Sequence, residues 1–285
     1  MASRARAVAE NIPGDFFVDS TCINCDTCRQ LAPETFDEVA DHSFVCMQPS
    51  RETDTRAATR AMLACPTGSI GTLGKNKSRE VIGDFPLPID GPVSYCGFTS
   101  KDSFGGSSYF IQHPRGNWLV DAPRFVPHLV KKFEEAGGVR HIFLTHRDDV
   151  ADAGKYARQF GAERTIHHDD LSAQPDAERV LEGTADVDLA PGFVAIPVPG
   201  HSKGHLALLV DGKYLFSGDH LWWSRERNGL GASPGVAWYS WAEQKRSLKK
   251  LLDYSFEWVL PGHGDRMQLP ACSMRRQLED FLKTI

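Results

Sequence analysis

Several features are missing from this 285-residue chain, and each absence excludes a class. No apolar run approaches the roughly 20 residues that a membrane helix needs, so no helical span is expected. No basic stripe is present: 32 Lys and Arg stand against 37 Asp and Glu, a net charge of −5. That balance argues against a nucleic-acid partner. The first ten residues, Met1 to Glu10, are polar and lack the apolar core of a secretory signal, so a cytoplasmic location is expected. An even disulfide framework is also missing. The seven cysteines are Cys22, Cys25, Cys28, Cys46, Cys65, Cys96 and Cys272, an odd number with three packed into one short stretch. This pattern points to thiolate ligation in a reducing compartment.

What is present divides the chain. With 41% apolar and 24% charged residues it reads as globular, and its length suits two domains. Residues 1–75 carry five of the seven cysteines. Residues 76–92, with Pro86, Pro88 and Pro92, read as a short linker that holds the domains in fixed docking. From residue 93 to 285, strands and helices alternate. Strands are expected at 107–112, 118–121, 141–145, 164–167, 193–198, 206–210, 214–217 and 258–260, where short apolar runs are bounded by Gly, Pro and Asp. Helices are expected at 126–136, 152–160, 241–253 and 274–283. The clearest local signal is the hairpin 206–216 with Asp211-Gly212 at its turn.

Cys22, Cys25 and Cys28 form a C-x-x-C-x-x-C run, and Cys65 is followed at once by Pro66. Three thiolates at this spacing wrap one face of a cubane and a distant fourth completes it. A zinc knuckle would use paired C-x-x-C units instead. The motif, with Ala32-Pro33-Glu34 after the triplet and Pro66-Thr67-Gly68 after Cys65, resembles the small monocluster ferredoxins over residues 15–72. The resemblance implies one [4Fe-4S] cluster on Cys22, Cys25, Cys28 and Cys65. It also implies that Cys46 is a free thiol, because Ala32 occupies the position of the cysteine that pairs with it in some of these ferredoxins. Cys96 and Cys272 read as small apolar residues.

Four further motifs each follow an apolar strand: Thr145-His146-Arg147-Asp148-Asp149-Val150-Ala151-Asp152, Gly200-His201-Ser202-Lys203-Gly204-His205, Gly218-Asp219-His220 and Gly262-His263-Gly264. In this order they resemble the metallo-β-lactamase superfamily, notably its glyoxalase II-like and flavodiiron-like branches, over about residues 93–265. The resemblance implies an α+β chain: a small ferredoxin-like domain followed by an αββα metallo-β-lactamase sandwich. It makes His146, Asp148, Asp152, His201, Asp219 and His263 the candidate ligands of one or two metal ions, with Asp219 as a bridge. Asp148, Asp152 and Asp219 are the candidate catalytic carboxylates.

The family element H-x-H-x-D-H is altered here. Asp148 stands for its second histidine, and Ala153 stands where a ligand histidine would follow Asp152. An alignment without the two-residue stretch puts Asp149 in the carboxylate slot. Asp152 is preferred because it also stands where it can cap the following helix. His167, His168, His205 and His220 are candidates to replace the lost histidine, His167 foremost, although a supporting or surface role is the stronger reading for His167. Trp222, Trp223, Trp238, Tyr239 and Lys203 are candidates for a pocket rim. A carboxylate in place of imidazole hardens the site, which favours iron, with zinc or manganese as alternatives.

The whole arrangement resembles ferredoxin-fused metallo-β-lactamase proteins. Hydrolysis consumes no electrons, so the fusion favours redox chemistry on a small-molecule substrate, with a redox partner protein as electron source. The alternatives are a metal-dependent hydrolase of a thioester, ester or amide with a structural or sensing cluster, and a non-enzymatic electron carrier.

Overall fold

A computed structural model describes residues 2–74 and 77–285. The chain forms two compact units: residues 1–114 with 123–138, and residues 115–122 with 139–285. Among the described residues no helix is long and apolar enough to cross a membrane.

In the first unit β1 (Phe16–Val18) pairs antiparallel with β4 (Ile70–Thr72), and β2 (Phe36–Val39) forms a hairpin with β3 (His42–Val45). Helix α1 (Thr27–Leu31) carries the end of the cysteine triplet, and α2 (Glu52–Ala64) leads into Cys65. Glu52 and Asp54 sit in the first turn of α2, where the helix dipole favours negative charge. Pro66 follows within two residues of its end. Phe16, Val18, Phe36, Val45, Ala58, Ala61 and Ile70 form the core, with Cys28 and Cys65 packed among them.

The stretch read as a linker is partly regular structure. Lys75 and Asn76 lie outside the described residues. From Ser78 the chain forms α3 (Ser78–Val81), then β5 (Leu87–Asp90), which pairs with β6 (Val93–Tyr95), itself paired with β7 (Tyr109–Ile111). Pro88 is tolerated because β5 is an edge strand. Helix α4 (Pro127–Glu135) begins on a proline and ends before Gly137 and Gly138, both at positive φ. It buries Leu129 and Phe133, and Phe133 stacks on Phe110 at 4.6 Å.

In the second unit β8 (Trp118–Val120), β9 (His141–Phe143), β10 (Glu163–His167) and β11 (Arg179–Leu181) run parallel. Burial on both faces explains the apolar runs of β8 and of Ile142-Phe143 in β9, whereas β11, at the edge, leaves Val180 exposed. Helix α5 (Ala153–Phe160) connects β9 to β10. A second sheet has the order β12 (Val187–Ala190), β13 (Phe193–Pro197), β14 (Leu206–Val210), β15 (Tyr214–Gly218), β18 (Trp258–Pro261) and β19 (Met267–Gln268). The short hairpin of β16 (Trp222–Ser224) and β17 (Gly229–Gly231) stands beside it.

Trp118 of the first layer stacks on Phe193 of the second at 4.4 Å and 15°. Helices α6 (Trp241–Lys250) and α7 (Ala271–Leu282) cover the second sheet through Leu248, Met274, Leu278 and Phe281. The fold is therefore α+β, with helix, sheet, sheet and helix layered as the metallo-β-lactamase resemblance implied. Ser240 accepts from the Glu243 amide at the start of α6, a cap written in the sequence as Ser-x-x-Glu. Helix α7 starts three residues earlier than its apolar spacing suggests, directly after Pro270.

Candidate metal centres

Local backbone builds the cysteine site. Asn24 and Asp26 both take left-handed φ, 56° and 67°, so the chain curls between successive cysteines. Buried Arg29 fastens that curl with bonds to Asn24 Oδ1 (2.7 Å), Asp26 Oδ1 (2.6 Å) and Ser43 Oγ (2.6 Å). Cys22, Cys25, Cys28 and Cys65 line one cavity with Val18, Ile23 and Ile70. The Ser43 amide donates to Cys22 Sγ at 3.4 Å, and the Ser69 amide donates to Cys65 Sγ at 3.3 Å.

Burial pushes the Cys25 thiol up to about 11 and the Cys28 thiol up to about 12. Such thiols stay neutral unless cations lie among them. Among the described residues no three of the four sulfurs come within 4.8 Å of one another. A single zinc ion with bonds of about 2.3 Å would draw them closer than that. The residues fit the wider cubane. Cys46 is a free thiol and Cys96 is fully buried, whereas Cys272 is exposed on α7 and does not pack as a small apolar residue.

The second centre gathers strand ends of the second unit. His146, Asp148 and His201 bring ligand atoms within 4.8 Å of one another, and so do His146, Asp149 and Asp219. His146 belongs to both groups, which makes one centre of two imidazoles and three carboxylates. Asp148 Oδ2 lies 3.3 Å from His201 Nε2 and 4.0 Å from His146 Nε2. Asp219 Oδ2 lies 3.7 Å from His146 Nε2 and 3.8 Å from His201 Nε2. Gly262 permits this approach: a Cβ there would meet Asp149 Oδ2 at 2.4 Å and Asp219 Oδ1 at 2.7 Å.

Two candidates are placed differently from the sequence reading. Asp152 is in neither group. It sits just before α5, makes no side-chain cap, and pairs with Lys155 at 2.8 Å. Asp149, only 1% exposed, occupies the carboxylate position instead. His263 is also in neither group; its Nδ1 lies 2.9 Å from both oxygens of Asp219, and its amide donates to the same carboxylate.

None of the substitute histidines joins the centre either. His167 bonds Gly183 O through Nε2 and accepts the Asp169 amide at Nδ1, so both nitrogens are occupied structurally. His168 is exposed. His205 Nε2 accepts the Asp219 amide at 3.1 Å, and buried His220 is in neither group.

The electrostatics call for a cation. His146 Nε2 and both oxygens of Asp149 are buried without a hydrogen-bond partner, and each such group costs about 1–3 kcal/mol if left so. Burial, reinforced by Asp219, pushes Asp149 well above the carboxylate range. Burial lowers His146 to about 4, so its imidazole is a neutral donor. Burial pushes Asp219 up too, but His263, His146 and His201 outweigh it and hold it ionised. The hydrogen bond from His201 lowers Asp148. The neutral His146 imidazole, with His201 and converging carboxylates beside it, is a fitting set for a metal ion.

Two positioning residues escaped the sequence reading. Asp121, at the end of β8, accepts from the Thr145 amide (2.8 Å) and hydroxyl (2.9 Å), and that hydroxyl lies 2.9 Å from His146 Nδ1. Buried Asp170 accepts from the Arg147 and Gly204 amides at 3.1 and 3.2 Å and also from the Ser202 hydroxyl, which ties the His146 loop to the His201 loop. An acid at a strand end was the available signal for Asp121. Of the rim candidates, Trp238 is 69% exposed with its ring 6.1 Å from that of His201. Tyr239 donates its amide to His201 O at 3.0 Å. Trp223 packs on the core, and Lys203 pairs with Asp169 at 2.8 Å.

Comparison with known proteins agrees with this geometry. Residues 18–72 match the 4Fe-4S single cluster domain of ferredoxin I. A curated relative, hydroxyacylglutathione hydrolase of Fuscovulum blasticum, is 32% identical over 132 residues, 42% of this chain and 49% of that protein. The beta-lactamase-like protein 2 homolog of Drosophila melanogaster is 27% identical over 169 residues, 53% of each. The chain thus spans about half the length of the curated relatives it matches. Among solved structures, the BLEG-1 B3 metallo-beta-lactamase superposes with a TM-score of 0.52 at 15% identity, covering 67% of this chain and 98% of that one. VMB-1 gives 0.52 at 16% identity, covering 69% and 95%. These likenesses concern the fold alone. Residues 102–263, more than half of the sequence, match the family model itself, and with the strand-end His/Asp centre they show that the chain belongs to the metallo-beta-lactamase superfamily, here carrying an N-terminal ferredoxin-type domain.

Proposed function

We propose that the chain is an iron–sulfur redox metalloenzyme. A [4Fe-4S] cluster on Cys22, Cys25, Cys28 and Cys65 serves redox chemistry on a small-molecule substrate. That chemistry occurs at an iron ion held by His146, His201 and the carboxylates between them. The observation that carries this reading is the donor set of the second centre. Two buried imidazoles converge with Asp148, Asp149 and Asp219, and two histidines with carboxylate oxygen suit ferrous iron better than a site richer in imidazole. When bound, iron supplies redox reactivity at open coordination positions and the cluster supplies single electrons.

The protein's own residues hold and shape the site. Thr145 and Asp121 orient His146, while His263 holds both oxygens of Asp219. The Asp148 side chain, 48% exposed, marks the side open to solvent and substrate. Trp238 stands beside His201 as an exposed aromatic face for a small organic molecule. A redox partner protein is the expected electron source.

One observation favours a second reading: a curated relative is named a hydrolase. In that reading the metal supplies Lewis acidity for attack of water on an ester, thioester or amide, and the cluster is structural or sensing.

The test is metal analysis with electron paramagnetic resonance on anaerobically purified protein, beside Cys65→Ala and His146→Ala. The redox reading expects Cys65→Ala to lose sulfide and the cluster signal yet keep additional iron, and His146→Ala to lose that iron. Zinc alone in the second centre, with ester or thioester hydrolysis, would establish the hydrolase. No metal beyond the cluster would leave a non-enzymatic electron carrier.

A further inference from the structure

The cysteine site is closed by residues that the ferredoxin match does not include. Residues 99–105 and Arg124 lie outside 18–72, within the same compact unit as the cysteines. At the Cys65 side, the Thr99 amide and hydroxyl both donate to Ala64 O, at 3.1 and 2.8 Å. Arg124 Nη2 donates to Leu63 O and to Cys65 O, each at 3.2 Å. These are final carbonyls of α2 and its exit, the groups that a helix leaves without partners and where its dipole is negative. At the Cys25 side, Gly105 adopts φ +87° and passes so close that a Cβ there would lie 2.6 Å from Cys25 Cβ and 2.8 Å from its Sγ. Thr27 joins the two sides of that contact, donating Oγ1 to Gly105 O at 3.3 Å and standing 3.4 Å from Cys25 Sγ.

We propose that Arg124 sets the reduction potential of the cluster, and that the segment Thr99–Gly105 is its lid. The inference rests on the cluster assigned above. Reduction adds one electron and one negative charge to the cluster, with no bond made or broken. A guanidinium held on the carbonyl of a ligand cysteine, in a partly buried setting, stabilises the more negative state and so raises the potential. The lid keeps water from Cys25 Sγ, and the lower local dielectric strengthens the attraction between the guanidinium and the added charge. Arg124 acts on the cluster through the carbonyl of a ligand cysteine; it is a positioning residue for the electrostatics of the cluster.

The experiment is a dithionite titration of the anaerobically purified full chain, followed by electron paramagnetic resonance, for wild type, Arg124→Gln and Arg124→Lys. Iron and sulfide content is measured first. In Arg124→Gln, with iron and sulfide unchanged, the ratio of reduced to oxidised cluster at a fixed ambient potential should fall about tenfold, equivalent to about 59 mV for one electron. Arg124→Lys, which keeps the charge, should stay near wild type. An unchanged potential in Arg124→Gln with a full cluster overturns the proposal. So does an equal shift in Arg124→Lys, which would assign the effect to the shape of the guanidinium.

If Arg124→Gln cannot be loaded, Arg124→Lys decides alone: a wild-type potential supports the proposal, and a tenfold shift refutes it. The lid is read separately, by the rate at which air bleaches the cluster. Gly105→Ala should bleach faster than wild type, and an unchanged rate removes the lid. Wild-type protein without iron and sulfide would sink the cluster reading itself, a failure distinct from any difference between variants.

Discussion

Replacing Thr145 by Val should weaken metal binding at the His/Asp centre about 10–100-fold while the protein stays folded. The Thr145 hydroxyl lies 2.9 Å from an Asp121 oxygen and 2.9 Å from His146 Nδ1. It has one proton to give. Burial, against the hydrogen bonds from Thr145, raises Asp121 to about 8, but a cation in the neighbouring centre favours its ionised form. With Asp121 ionised, the hydroxyl donates to the carboxylate and accepts from Nδ1–H. That fixes the tautomer in which Nε2 carries its lone pair toward Asp148, Asp149 and Asp219.

Valine keeps the shape of threonine and removes this relay. The loss in affinity corresponds to about 1.4–2.8 kcal/mol. Asp121 keeps the Thr145 amide at 2.8 Å but loses the hydroxyl, which costs about 1–3 kcal/mol of stability. A domain with about 5–15 kcal/mol in reserve survives that. Competition against a chromophoric chelator, with ferrous or zinc ion as probe, gives the affinity, and Thr145→Ser serves as the control that restores the hydroxyl. A Thr145→Val affinity within threefold of wild type would refute the relay.

Three further outcomes are expected. Asp149→Asn should weaken the same metal binding at least tenfold, by removing a buried carboxylate of the centre, while Asp152→Asn should leave it unchanged; chelator competition reads both. Phe193→Ala should lower stability by about 3–5 kcal/mol in urea denaturation, because it empties a fully buried position stacked on Trp118. The third concerns pH. Hydrogen bonds from Arg56, at 2.7 Å, and from Arg60, at 2.6 Å, lower Asp84. A depressed carboxylate contributes stability above its unfolded pKa and loses it as pH falls through the folded value. Melting temperatures from pH 7 down to 3 should therefore fall less steeply in Asp84→Asn than in wild type, and parallel curves would show that the pair contributes nothing.

The sequence revealed most where information is local. The three clustered cysteines lie on a single curl of chain, and the His and Asp motifs follow strands with strong apolar runs, so both were legible. The hairpin Leu206–Phe216 was legible because Asp211 and Gly212 both take positive φ at its turn. The three- and four-residue strands β5, β6, β11, β12, β16 and β17 were missed, because so short a segment shows no periodicity. Asp152 looked better than Asp149 only on helix-cap grounds. The turn through Ala151 at φ 32° precedes α5, and Asp149 on its near side is the carboxylate buried at the centre. His167 resembled the centre's residues in ending a strand, but the Gly183 carbonyl and the nearby Asp169 amide occupy both its nitrogens. Arg124 was silent because its partners lie about sixty residues away.

Both centres follow one physical logic, and it explains why the fold tolerates such expensive interiors. In the first unit, burial drives thiols toward neutrality, while amides from Ser43 and Ser69 are already aimed at sulfur. In the second, among the described residues, His146, Asp149, His201, His205 and His220 all carry buried ring nitrogens or oxygens without a partner. A polypeptide core would not keep these groups dry for packing alone, since apolar residues of the same volume would be cheaper. Cations of the right size remove the cost in both places, by ionising thiols in one and by accepting lone pairs in the other. His205 and His220 complete the argument. Burial lowers both, so they stay uncharged and add no positive charge to compete with a metal ion beside Asp219. The protein thus holds its carboxylates close and His146, His205 and His220 neutral, a preorganisation that suits a metal ion beside Asp219.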